Sequence, residues 1–212
     1  MWYELMELND INRSLAHKNP FEITEWAMMH AECPIVSSSF GTASAAMLYV
    51  TSKVAPNIPV IWVDHGYNLP ETYQHVETLV DRLKLNLQVY TPKVTFERRR
   101  AIFGGVPMPE DEDAFRQFAN EVKVEPFERA LKERSPDYWL TGISKYETAH
   151  RASLDVVSVD HRGVTKVAPF FHWNHEAIDE FIAERDLPAP NHYFDPTKLA
   201  QHMECGLHVP QS

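Results

Sequence analysis

Between Ile35 and Met47 the chain passes from β-branched residues through Ser37, Ser38, Ser39, Gly41 and Thr42 into Ala43, Ser44, Ala45 and Ala46. β-Branched residues favour strands, serine and glycine favour tight turns, and small residues favour helices. That order predicts a strand, a turn and a helix N-terminus. The first amides of a helix have no partner within it, and the macrodipole adds roughly half a positive charge there. Serine hydroxyls beside those amides add donors, which suits a phosphate or sulfate. A serine-rich turn also serves as an ordinary helix cap, so the stretch alone leaves both readings open.

The next apolar run, Pro59-Val60-Ile61-Trp62-Val63, leads into Asp64-His65-Gly66-Tyr67-Asn68-Leu69-Pro70. A carboxylate, a glycine and a proline-started helix at the end of a second strand belong on the same rim as the serine loop. In an open α/β sheet that rim is where ligands bind. A helix over 42–55, a second helix capped by Asn68 and started by Pro70, and a short buried strand at 86–90 complete a βαβαβ series. Right-handed crossovers make such a series a parallel sheet.

Upstream, residues 1–15 and the stretch from Pro20 read as helices, with Ile23, Trp26, Ala27 and His30 recurring at helical spacing. His30 is expected at the core or its boundary. Downstream, residues 92–121 read as an irregular loop leading into a helix at 114–121, and Pro126 starts another at 127–134. A buried strand follows at 138–141, then a hairpin of 156–159 and 164–168, and a helix capped by Asn174 that buries Ile178, Phe181 and Ile182. From Leu187 the periodicity is lost. The expected fold is α/β: a doubly wound, mostly parallel sheet with helices on both faces. It forms one domain over 1–212, with N-terminal helices at 1–33 and an irregular tail at 187–212.

Composition narrows the function. The formal charge is −10, which argues against a nucleic-acid partner and requires any bases around an anion to be gathered locally. Lys123, Lys145, Arg151 and the triplet Arg98-Arg99-Arg100 are the candidates, the triplet reading equally as a solvated helix face. No apolar run approaches the length of a membrane span and the first ten residues are too acidic for a signal peptide, so a cytoplasmic location is expected. Two cysteines, Cys33 and Cys205, cannot supply four thiolates to an iron–sulfur cluster. Cys33, before Pro34 at a strand entrance, reads as a small buried apolar residue. His172 and His175 stand three apart, but no further ligand has an obvious spacing, and no metal is expected.

The serine loop, the segment from Asp64 to Tyr73, Lys123-Val124-Glu125-Pro126 and the tail Glu204-Cys205-Gly206-Leu207-His208 together resemble the phosphoadenosine phosphosulfate (PAPS) reductase family. That family belongs to the adenine nucleotide α-hydrolase-like, Rossmann-like proteins with a pyrophosphate loop. The resemblance implies that Ser37, Ser38, Ser39, Gly41 and Thr42 hold the phosphosulfate or 5′-phosphate and that Lys123, Lys145 and Arg151 neutralise it. Asp64, Gly66 and Tyr67 shape the neighbouring rim or serve the fold. It implies that Cys205, with His208 as a cationic partner, is a nucleophile that attacks the sulfur, although a tail thiol of this kind also reads as inert. It further implies thioredoxin or glutaredoxin as external reductant, no bound cofactor, and a homodimer.

Two departures stand out. Ser144 and Lys145 occupy positions where the family carries paired arginines. Cys205 follows Arg185 by only 20 positions, where relatives have a longer segment with an arginine- and tryptophan-containing motif. An ATP pyrophosphatase or adenylating enzyme, and a non-catalytic nucleotide-binding relative, are the alternatives; residues 37–44 lack the paired glycines that the first needs in its loop.

Overall fold

The computed structural model describes residues 2–108, 110–190 and 192–198. Its strands are β1 (Pro34–Ser37), β2 (Pro59–Val63), β3 (Asn86–Tyr90), β4 (Tyr138–Leu140), β5 (Val157–Val159) and β6 (Thr165–Val167). They form one six-stranded sheet in the order β3-β2-β1-β4-β6-β5. All pairs are parallel except β5 with β6, where Ser158 faces Lys166 in an antiparallel hairpin. The order steps outward from β1 in both directions, so the carboxyl end of β1 lies where the winding reverses. Ligand crevices form at such points.

Around the sheet lie α1 (Trp2–Leu15), α2 (Pro20–His30), α3 (Ser44–Val54), α4 (Pro70–Leu83), α5 (Phe96–Phe103), α6 (Glu112–Ala119), α7 (Glu125–Arg134), α8 (Ala149–Ala152) and α9 (His175–Glu184). Alternation along the strands sorts the core into two layers. Val36, Val60, Trp62 and Leu140 pack with α2, α3, α4 and α9. Their chain neighbours Ile35, Ile61 and Trp139 face the other way, onto Phe127, Ala130 and Leu131 of α7. Trp139 is fully buried against Phe127, with ring centroids 4.8 Å apart. Truncating such a residue costs about 3–5 kcal/mol.

Several expectations need correction. Helix α3 starts at Ser44, because 42–43 form a turn ahead of it. Asn68 does not cap α4. Leu69 stands at the cap without a side-chain bond, and Asn68 Nδ2 instead donates to Asp64 Oδ1 at 2.9 Å. Strand β3 is an edge strand with only Tyr90 buried, which explains its poor alternation. The stretch expected as a loop contains α5, capped by Thr95 Oγ1 accepting from the Arg98 amide. Cys33 is exposed, since the Glu32 and Cys33 amides are both drawn onto the Asp137 carboxylate at the strand entrance. His30 is exposed too, tilted over Trp26 at 4.7 Å between ring centroids.

Helices α6 and α7 do not have a loop between them. A single π-helical turn, Asn120–Val124, joins them into one continuous rod. The wider turn inserts a residue into the helical register, and such turns recur at functional sites. Here it buries Val122, Lys123 and Val124 in succession, which a regular helix with one buried face does not do.

Candidate functional site

A cleft of about 260 Å³ opens at the carboxyl ends of β1, β2 and β4. Its floor is the loop between β1 and α3. Phe40 holds this loop in place: it is fully buried, stands edge-on to Trp62 at 5.5 Å, and takes a left-handed backbone (φ 54°) that bulky residues rarely adopt. Its amide donates to Ser38 Oγ at 3.0 Å, and the Ser38 amide donates to the Ile61 carbonyl at 3.0 Å. Trp139 Nε1 donates to Ser37 Oγ at 2.8 Å, tying the loop to β4. No side chain caps α3. The Thr42 and Ala43 amides take no acceptor among the described residues. Strain at Phe40 and an uncapped helix start leave these donors presented to the cleft.

Three cations reach the same space: Lys123, Arg151 and Lys198. Lys123 is buried against Asp195, and Thr197 Oγ1 lies 3.4 Å from its ammonium. The Thr197 amide and hydroxyl both donate to Asp195 Oδ1, at 3.0 and 2.6 Å. Burial alone raises a carboxyl, but the Lys123 charge and these hydrogen bonds outweigh it and bring Asp195 down to about 2. Arg151, also buried, pairs with Glu147 four residues earlier, ahead of α8. Tyr193 closes the other side: a Cβ added at Gly41 would lie 3.4 Å from its ring. The segment 192–198 therefore crosses back over the serine loop and is clamped there by a charge pair.

Of the expected site residues, Ser37, Ser38, Ser39, Gly41, Thr42, Lys123 and Arg151 line the cleft. Asp64, Gly66 and Tyr67 build the turn beside it. Asp64 Oδ1 accepts from the Gly66 amide at 3.0 Å and from Tyr73 Oη at 2.9 Å. Burial, then the Asp64 bond and charge, push the Tyr73 phenol up to about 12. Gly66 takes φ 79°, and Tyr67 packs edge-on to Phe96 and Phe118. Lys145 is not brought into the cleft; its ammonium sits 5.2 Å over the Tyr146 ring. Ser144 is buried and donates to the Trp173 carbonyl at 2.6 Å. In the arginine triplet, Arg99 is buried over Phe118 at 4.6 Å and paired with Glu121 at 3.2 Å, so it holds α5 to the α6–α7 rod. Cys205 and His208 lie outside the described residues.

His65, Glu147, Tyr193, Asp195 and Lys198 line the cleft without having been expected. Asp195 meets Lys123 across 72 positions of sequence, a pairing no local pattern announces. His65 stands inside the expected rim motif. Its ring nitrogen accepts from the amide two residues on, the short-range turn bond that aspartate and asparagine also make.

A mostly parallel sheet with a donor-rich loop at its switch point places the chain among the adenine nucleotide α-hydrolase-like proteins. Residues 33–195 match the phosphoadenosine phosphosulfate reductase domain, and the chain belongs to that family. It is 37% identical over 185 residues to a phosphoadenosine 5′-phosphosulfate reductase of Synechococcus sp., covering 87% of this chain and 79% of the relative. The Synechocystis sp. enzyme of the same name is 33% identical, over 98% of this chain and 92% of its own. The phosphoadenylyl-sulfate reductase of Candida auris, solved as a phosphate complex, superposes with a TM-score of 0.75 at 25% identity. That match covers 86% of this chain and 87% of the other. No helix among the described residues is long and apolar enough to cross a membrane.

Proposed function

We propose that this protein reduces 3′-phosphoadenylyl sulfate to sulfite and adenosine 3′,5′-bisphosphate in sulfate assimilation. The observation that carries this reading is the convergence, in a member of this family, of the uncapped loop before α3 with buried Lys123 and Arg151. The loop amides and the two cations neutralise the phosphosulfate. The Cys205 thiolate attacks the sulfonate sulfur, the bond from sulfur to the 5′-phosphate oxygen breaks, and adenosine 3′,5′-bisphosphate leaves. Cys205 is left as an S-sulfonate. A thioredoxin or glutaredoxin dithiol then attacks the cysteine sulfur and expels sulfite. Its second thiol resolves the mixed disulfide and supplies the second of the two electrons needed. The enzyme itself needs no bound cofactor for this sequence.

The test is sulfite release from the nucleotide with a thioredoxin system, run beside pyrophosphate release from ATP. The wild type should release sulfite and Cys205→Ser should not, while still binding nucleotide. Without thioredoxin, the wild type should gain one sulfonate on Cys205 by peptide mass. Pyrophosphate release without sulfite would assign an adenylating activity instead, and binding with no product of either kind would make the protein a non-catalytic relative.

A further inference from the structure

His65 follows β2 at the rim, its ring buried and lining the cleft. The Tyr67 amide donates to its Nδ1 at 3.0 Å. A backbone N–H can only donate, so Nδ1 carries no proton while that bond stands. The single ring proton of the neutral imidazole is thereby assigned to Nε2. That nitrogen has no protein partner among the described residues. The residue lines the cleft, beside Lys123 and Asp195. A donor fixed on one edge of a buried ring and open on the other has the form of a ligand contact.

The charges around the ring favour a neutral donor. Asp64 stands on its own loop, Lys123 on the π turn and Asp195 in the 192–198 segment. Burial foremost, with the Lys123 charge, pushes the imidazole down to about 4, against the pull of Asp195 and Asp64. A protonated ring would repel Lys123 and compete with it for Asp195. A neutral N–H adds a hydrogen bond to an anion and leaves that pair intact.

We propose that His65 is a substrate-contacting residue, whose Nε2–H donates to an anionic oxygen of the bound nucleotide. The proposal rests on the nucleotide reading above and adds a contact to it. Two variants divide the ring between them. In His65→Asn the side-chain oxygen replaces Nδ1 and keeps the turn bond to Tyr67, but nothing reaches the Nε2 position. In His65→Gln the amide nitrogen reaches that position.

Calorimetric titration with adenosine 3′,5′-bisphosphate, alongside melting temperatures, makes the comparison. H65N should weaken binding about tenfold or more, as expected for a lost bond to a charged acceptor, while H65Q should stay within about threefold of wild type. The wild-type to H65N affinity ratio should stay constant from about pH 8 to about pH 6, because the donor is already in place when neutral. If H65N does not fold, His65→Ser, which also makes the turn bond, replaces it. Equal affinity for H65N and wild type overturns the proposal, as does equal weakening of H65N and H65Q. A ratio that grows as pH falls would mean that an imidazolium binds, and also overturns it. Absence of binding by the wild type removes the nucleotide reading itself, and this contact with it.

Discussion

At the scale of single residues, two groups of the cleft titrate below their ordinary values, and both shifts tie stability to pH in the same direction. Asp195 lies at about 2 against an ordinary 3.8, so its contribution is complete above pH 3.8 and is lost as pH falls toward 2. That is about 2 kcal/mol. His65 runs the other way in its chemistry but not in its consequence. Its folded pKa of about 4 lies below the ordinary 6.5, so between those values the unfolded chain binds the extra proton. Stability therefore falls by about 3 kcal/mol as pH drops from 6.5 to 4, and His75 and His172, also held down by burial, add to the same slope. Denaturant unfolding at stepped pH should show this decline above pH 4, with His65→Gln flattening part of it. At neutral pH, Asp195→Asn removes the carboxylate charge from beside the buried Lys123 ammonium and should cost about 3–5 kcal/mol. A loss below about 1 kcal/mol would mean the pair is solvated rather than buried.

At the scale of elements, what was legible followed from how each element is stabilised. Strands β1, β2 and β4 are short apolar runs bounded by proline, glycine or serine, and the hairpin and α9 carry their turn and cap in place. Helix α5 was missed because Phe96–Phe103 has no apolar stripe: Ile102 and Phe103 are exposed and only Arg99 is buried. Its one local signal was Thr95 as N-cap. The π turn has no spacing signature, so the burial of Lys123 was not legible, while its place at the cleft was implied by the resemblance at Lys123–Pro126. The serine loop was legible as a donor-rich turn, but the left-handed Phe40 that aims it was not, since its backbone is imposed by burial against Trp62. The rim turn gives an element-scale prediction. A Cβ at Gly66 would meet Phe96 Cβ at 3.1 Å on a backbone with φ 79°. Gly66→Ala should lower stability by about 1–3 kcal/mol, measured by urea unfolding, and loosen α5 first. An unchanged midpoint would show that the turn relaxes at no cost.

At the scale of the whole molecule, an excess of negative charge coexists with a cleft into which Lys123, Arg151 and Lys198 are collected from three separate stretches of chain. The 192–198 segment is the piece that completes this collection. Asp195 is clamped inside the cleft, and chain length alone limits how far a later residue can lie from it. Cys205 lies 205 − 195 = 10 residues further on. A chain of that length spans at most about 36 Å, whatever path it follows. One thiol confined within such a radius of the anion loop corresponds to a local concentration on the order of millimolar. That concentration travels with each molecule and does not change on dilution. Formation of the Cys205 S-sulfonate in a single turnover at saturating nucleotide should therefore be first order, with a rate constant unaltered when the protein is diluted tenfold. A rate constant that fell with dilution would mean that the thiol serves the cleft of a second copy.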